Sequence, residues 1–219
     1  MVGELKAWLS DQGADLAGTS HLAGLLPERF VKLPYAVTIG VRLSDAVVSE
    51  VTDGPTMLYF AHYRAANAFL DALAFKCVGW LQRRGKNALA IPASQSTSDD
   101  GFAGDFPHKT AANMAGLGFI GKSALFVSQE FGPRVRLATV LTDAALPVGE
   151  LQPVMCGSCR LCVDACPCGA ITGRVWSKNG EREDIVDAAL CSRHMKKAYQ
   201  HIGRGAVCGI CMSVCPMGK

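Results

Sequence analysis

Cys156-Gly-Ser-Cys159-Arg-Leu-Cys162-Val-Asp-Ala-Cys166-Pro167 places three cysteines at two-residue gaps and a fourth three residues further on, directly before a proline. Thiolates so spaced let one tight loop present three corners of an iron–sulfide cube, the arrangement of a [4Fe–4S] site. The fourth cysteine, turned away at Pro167, reaches a different cube, so a second group of ligands must exist. Cys208-x2-Cys211-x3-Cys215-Pro216 is that group, with only two close-set cysteines before its own Cys-Pro and therefore one ligand short. Cys191, seventeen positions upstream of Cys208, supplies the missing one. Both sites are complete when Cys156, Cys159, Cys162 and Cys215 hold one cluster and Cys166, Cys191, Cys208 and Cys211 hold the other.

Eight cysteines are used in this way, which leaves Cys77 and Cys168 of the ten. Cys168 reads as a packing residue beside the clusters. Nine of the ten lie from Cys156 onward. In a reducing compartment that density argues for metal ligands rather than disulfides. A pair of zinc sites is the competing reading, but zinc favours two separated Cys-x2-Cys pairs, and a triple with exchanged Cys-Pro partners matches it poorly. Residues 156–219 carry nine Lys and Arg against five Asp and Glu. Thiolate-bound clusters bring negative charge that this basic excess offsets, so it does not by itself point to nucleic acid.

The whole chain has 219 residues, 49% of them apolar and 19% charged. That suits one ordinary domain with a small appended module and excludes a disordered or coiled-coil chain. No stretch approaches the roughly 20 uninterrupted apolar residues of a membrane span. Met1 to Ser10 carries Glu4 and Lys6 and does not read as a secretion signal, so the expected location is the cytoplasm.

Upstream of the cysteines, the pattern predicts a helix over Leu5–Leu16, a connection over Gly18–Pro34 and a strand over Ala36–Leu43, where apolar residues alternate. After Gly54-Pro55, Tyr59, Tyr63, Ala66, Leu70, Leu73, Cys77 and Leu81 recur at helical spacing up to about Gly85. Cys77 on that stripe reads as a buried core thiol. Ala88–Ala93 suits a buried strand, Ser94–Phe106 an exposed loop, His108–Ala115 a helix, and Leu125–Val127 and Val135–Thr142 two strands. Pro147, Gly149 and Pro153 mark a boundary, so residues 1–150 are expected as one domain and 151–219 as the double-cluster module.

Gly116-Leu-Gly118-Phe-Ile-Gly121-Lys122-Ser123 fits both a G-x4-G-K-S and a G-x-G-x-x-G phosphate pattern. Both need a strand entering and a helix leaving, so that the helix N-terminus faces the phosphate. Here a helix enters and a strand leaves, which weakens an ATPase reading. What remains is a loop whose Gly116, Gly118 and Gly121, beside Lys122, either admit a cofactor or make a tight turn. His21, His62, His194 and His201 have no partner visible in sequence.

Ala112-Asn-Met-Ala-Gly-Leu-Gly-Phe-Ile-Gly-Lys-Ser123, Arg136–Leu146 with its Leu-Thr-Asp, the Cys156–Pro167 run and Gly169-Ala-Ile171 together resemble epoxyqueuosine reductase, a cobalamin-dependent two-cluster iron–sulfur family related to reductive dehalogenases. The resemblance implies an α/β, or α+β, nitroreductase-like domain that seats a base-off corrinoid, followed by a bacterial ferredoxin-like module with two [4Fe–4S] clusters. It places Gly116, Gly118, Gly121 and Lys122 at the cofactor, and it implies an electron-donor protein of the ferredoxin or flavodoxin type. The family's acidic proton donor falls on Phe102, with Asp99, Asp100 and Asp105 nearby, and its Glu-Arg pair is His108-Lys109 here. The candidate proton donors are therefore His108, Lys109 and Asp105. The family's C-terminal helical repeats that engage tRNA do not follow Lys219, so the expected substrate is a small molecule or a corrinoid rather than nucleic acid. The alternative is a ferredoxin-like carrier or corrinoid-reducing activator with no substrate chemistry of its own.

Overall fold

Val37, Ile39 and Val41 point to one side of a strand and Ala36, Thr38 and Gly40 to the other, yet all six are buried in the computed structural model. The structure describes residues 1–97, 104, 106–177, 180–203 and 207–218. Along the chain run α1 (Val2–Asp11), β1 (Leu16–His21), β2 (Tyr35–Arg42), α2 (Asp45–Ser49), α3 (Met57–Gln82), β3 (Ala88–Ile91), α4 (His108–Met114), β4 (Gly118–Ile120), β5 (Phe126–Ser128), β6 (Val135–Thr142), α5 (Leu161–Asp164), α6 (Ala188–Tyr199) and α7 (Ile210–Ser213).

The main sheet has the order β1-β2-β6-β3. β1 pairs antiparallel with β2 from Leu16 opposite Gly40 to His21 opposite Tyr35. β3 pairs antiparallel with β6 from Ala88 opposite Thr142 to Ile91 opposite Thr139. Both faces are covered. Leu5 and Leu9 of α1, with Leu70, Leu73, Cys77, Trp80 and Leu81 of α3, pack against Val37, Ile39, Val41, Ala138 and Val140. Leu22, Phe30, Ile91, Phe106 and Ala111 pack around Ala36 and Leu141. Two-sided cover explains why the polar positions of β2 are buried as fully as the apolar ones.

Cys77 is fully buried in this core, as its place on the helical stripe predicts, and burial pushes its thiol up to about 12. It stays protonated at mildly alkaline pH and has no path to solvent. Mass spectrometry after brief iodoacetamide treatment of the folded protein is expected to find Cys77 unmodified, with full labelling only after denaturation. Labelling in the folded state would contradict this burial.

Two expectations shift. The first helix ends at Asp11 because Gly13 takes a left-handed φ of +95° and turns the chain into β1. Leu16–His21 is a strand, where the sequence pattern places Leu16 in the helix and Gly18 onward in a connection. Its Leu-Ala-Gly-Thr-Ser-His run shows no two-residue apolar period, and pairing with β2 organises it instead.

The chain folds as two compact units that interleave in sequence. The first comprises Met1–Arg42, Ala66–Gly118 and Arg136–Gln152; the second comprises Leu43–Ala65, Phe119–Val135 and Pro153–Lys219. The cysteine-bearing tail is short and supplies few apolar residues, so it recruits support from upstream. In the second unit, Ile120 and Ala124 pack with Ile185, Trp176 and Val186, the Tyr59 hydroxyl lies 4.0 Å from Met212 Sδ, and the Tyr199 hydroxyl donates to Asp53 O at 3.1 Å.

Candidate iron–sulfur centre

The second unit positions the cysteines on short helices and the turns around them. Cys156 and Cys159 form the turn before α5, with Cys159 N donating to Cys156 O at 2.9 Å, Cys162 lies in α5 and Cys166 follows its end. Cys191 sits in the first turn of α6, whose N-terminus Asp187 caps by accepting from Leu190 N at 2.7 Å. Cys208 precedes α7, Cys211 lies within it and Cys215 follows it. All are free thiols.

Their mutual electrostatics sort them. Burial raises the Cys162 thiol above its ordinary pKa, and Cys156, Cys215 and Cys159 raise it further. Burial likewise raises Cys215, to which Cys156 and Cys159 add while Arg134 opposes. Cys191 is pushed up to about 11 by burial, then by Cys168, Cys208 and Cys166. Cys211 is raised by burial first and by Cys208 and Cys191 next, with smaller contributions from Cys162 and Cys166. Cys156, Cys159, Cys162 and Cys215 thus lie within one another's electrostatic reach, and Cys166, Cys168, Cys191, Cys208 and Cys211 within another neighbourhood, with Cys162 also acting on Cys211. Cys168 stands with the second, its Sγ 3.9 Å from that of Cys166.

Among the described residues no three His, Cys, Asp or Glu side chains converge closely enough to ligate one ion. A cube asks for no such convergence, because its four irons keep the ligands further apart. The donor sets suit iron, since each thiol becomes a ligand once a metal replaces its proton.

Lys122 and Arg134 shape the first set. Lys122 is 7% exposed, and its Nζ donates to Gly157 O at 2.7 Å and Cys159 O at 3.0 Å. Arg134 is 3% exposed and donates to Met217 O at 3.0 Å, Cys215 O at 3.3 Å and Ser213 O at 3.4 Å, while its Nε lies 3.4 Å from Asp45 Oδ1. Sequence reading missed Arg134, because nothing local to Pro133-Arg134-Val135 announces a partner some eighty residues downstream.

The glycine motif divides between a turn, a strand and a hairpin. Gly116 ends α4 with φ +73°, and a Cβ there would lie 2.7 Å from Glu150 O. Gly118 opens β4, and residues 121–125 form the turn to β5, with Gly121 N donating to Leu125 O at 2.9 Å. A Cβ on Gly121 would meet Val127 Cγ2 at 3.1 Å and Cys156 Sγ at 3.5 Å. The space at Gly116 and Gly121 is thus used by the chain itself. The helix-in, strand-out order stands, and Lys122 turns to cluster-loop carbonyls, so no phosphate cradle forms.

Of the proton-donor candidates, His108 lies in the first unit, with Nε2 2.8 Å from Pro92 O and Nδ1 2.8 Å from Thr139 Oγ1. A carbonyl only accepts, so Nε2 carries the proton and Nδ1 accepts from the Thr139 hydroxyl. Burial lowers the pKa of this ring. Lys109 is the next residue of α4 and is half-buried. Asp105, like Asp99, Asp100 and Phe102, lies outside the described residues.

Residues 155–218 match the family described as "4Fe-4S double cluster binding domain". The chain is 33% identical over 118 residues to an epoxyqueuosine reductase of Synechococcus sp. (strain RCC307), covering 51% of this chain and 34% of that protein. This is an iron–sulfur protein similar to epoxyqueuosine reductase. It is also 28% identical over 195 residues to a tetrachloroethene reductive dehalogenase of Desulfitobacterium hafniense, covering 82% of this chain and 31% of that one. The chain thus spans 34% and 31% of the length of these two curated relatives. Among solved structures, a catabolic reductive dehalogenase in complex with 3-bromo-4-hydroxybenzoic acid superposes with a TM-score of 0.80 at 22% identity, over 98% of this chain and 31% of that one. An epoxyqueuosine reductase with a modified tRNA stem loop gives 0.68 at 19%, over 99% and 64%. The mixed α/β fold with a double-cluster module is therefore the one expected from sequence. Among the described residues no helix is long and apolar enough to cross a membrane.

Proposed function

We propose that this iron–sulfur reductase carries one [4Fe–4S] cluster on Cys156, Cys159, Cys162 and Cys215 and another on Cys166, Cys191, Cys208 and Cys211, and passes single electrons to an acceptor held near the glycine loop. What supports this reading is placement: Cys215, though it follows α7, lies within electrostatic reach of Cys156 and Cys159, and Cys191 lies within reach of Cys166, Cys168 and Cys208. Bound clusters supply reversible one-electron storage at potentials set by their surroundings. The chain's own part includes holding the segments that carry Cys156, Cys159, Cys162 and Cys215 in place through Lys122 and Arg134.

The acceptor we assign is a base-off cobalamin or a small molecule, with electrons arriving from a ferredoxin- or flavodoxin-type donor in the cytoplasm. Support comes from the reductive dehalogenase relative, one solved member of that group being described through B12-dependent dehalogenation. The Lys122 ammonium is committed to the cluster loop, so a corrinoid near Gly116, Gly118 and Gly121 would meet backbone rather than that charge. His108 holds its proton against Pro92 O, so any substrate proton falls to Lys109 or Asp105.

The second reading, an electron carrier without substrate chemistry, is favoured by the family match being confined to the cysteine-bearing residues. One titration separates the two. Anaerobically reconstituted protein is expected to contain iron and sulfide for two clusters and, on adding cob(II)alamin, to shift its absorption and EPR spectra to the base-off form. Clusters that cycle with no cobalamin binding would establish the carrier. Protein holding zinc and no iron would overturn both.

A further inference from the structure

Two buried cations, Lys122 and Arg134, reach ligand-bearing segments of the first cysteine set from the 119–135 portion of the second unit, while Arg160 inside the Cys156–Cys162 loop is exposed. Lys122 spends two of its three N–H donors on the carbonyls of Gly157 and Cys159, inside the Cys156–Cys162 loop. Arg134 grips the carbonyls of Ser213, Cys215 and Met217, the arm that brings in the exchanged ligand. Carbonyl dipoles satisfy hydrogen bonds but do not neutralise charge, and a buried ammonium is costly without a compensating anion. Asp45 offers Arg134 a half-exposed carboxylate. For Lys122 the compensating anion is the thiolate-bound cluster of its own loop.

The second set has a different neighbourhood. Cys191 N donates to Asp187 O at 3.1 Å, and the Asp187 carboxylate caps the same helical turn. The basic residues of α6, Arg193, Lys196 and Lys197, are exposed, where solvent screens them. Reduction adds negative charge to a cluster. A buried cation beside it stabilises the reduced form and raises the potential, and a nearby carboxylate does the reverse.

We propose that Lys122 and Arg134 make the Cys156, Cys159, Cys162 and Cys215 cluster the higher-potential centre, so that electrons enter at the Cys166, Cys191, Cys208 and Cys211 cluster and leave through the first. Lys122 and Arg134 act as positioning residues, through the cluster and not on any substrate. This inference rests on the two-cluster reading above. Each transfer moves one electron from the reduced second cluster to the oxidised first, with no bond made or broken.

EPR-monitored redox titration of the full-length, anaerobically reconstituted protein tests it, with Cys215→Ala identifying the first cluster's signal. The wild-type first cluster is expected to reduce at the less negative potential. Lys122→Met is expected to shift that midpoint to more negative values and leave the second unchanged, and Lys122→Arg to restore it. Asp45→Asn frees the Arg134 charge and is expected to shift the first midpoint the opposite way. It provides the test even if Lys122→Met fails to assemble. A first cluster that is the lower of the two, or midpoints that ignore both Lys122→Met and Asp45→Asn, would overturn the proposal. Iron for fewer than two clusters in the wild type would instead overturn the reading beneath it.

Discussion

Cys215→Ala abolishes the first cluster and leaves its neighbour intact. The expectation follows from the chain's crossing at each Cys-Pro. Cys215 follows α7, the helix that contains Cys211, yet the thiols that raise its pKa are Cys156 and Cys159. Removing its thiol leaves three corners on a loop that cannot close the cube. Iron content should fall to about half, and one of two resolved EPR centres should vanish. Cys191→Ala should remove the other centre and spare the first, by the same reasoning applied to Cys166, Cys168 and Cys208. If Cys215→Ala and Cys211→Ala erased the same signal, the exchange of ligands would be wrong and each Cys-x2-Cys group would hold its own cluster.

Gly132→Ala is expected to be the most damaging substitution away from the cysteines. Gly132 has φ +56°, where a side chain is strained, and a Cβ there would overlap the Met217 carbonyl. The facing residue is no softer, since a Cβ on Gly218 would overlap Gly132 N and the Phe131 carbonyl carbon. The backbones touch, so the tail must move away, and Arg134 loses its grip on Met217 O and Cys215 O. The cost is about 2–4 kcal/mol, with the first cluster lost along with Cys215. Gly85→Ala is the control. Its φ is +71°, but nothing lies within 4 Å of the added methyl, so about 1 kcal/mol of backbone strain is expected with both clusters retained. Thermal denaturation beside iron analysis reads both variants, and equal effects at the two glycines would show that contact with the tail is unimportant.

Much of the site was legible because cluster ligation is written in short spacings. The two Cys-x2-Cys groups, the isolated Cys191 and the Cys-Pro pairs at Pro167 and Pro216 are counted directly from the sequence, and the proposed exchange of ligands is read from that count. The helix through Leu70, Leu73, Cys77 and Leu81 and the strands at 35–42 and 135–142 were equally plain, because one apolar period runs through each. β1 was missed because its apolar content is low and its hydrogen bonds come from β2. Gly116–Ser123 leaves a cofactor loop and a tight turn open in sequence, and only the fold shows a Cβ at Gly116 meeting Glu150 and one at Gly121 meeting Val127 and Cys156.

The cysteine spacing, the buried thiol on α3 and the mixed α/β character of the chain are local properties, set by spacing and periodicity within a few turns of chain. Which segments support the cysteines is not local. Residues 43–65 and 119–135 join the second unit, Lys122 meets carbonyls some 35 positions away, Arg134 meets them some eighty away, and Gly132 faces Met217. Those contacts depend on which backbones approach after folding, and the long-range packing that fixes them leaves no periodic mark on either partner.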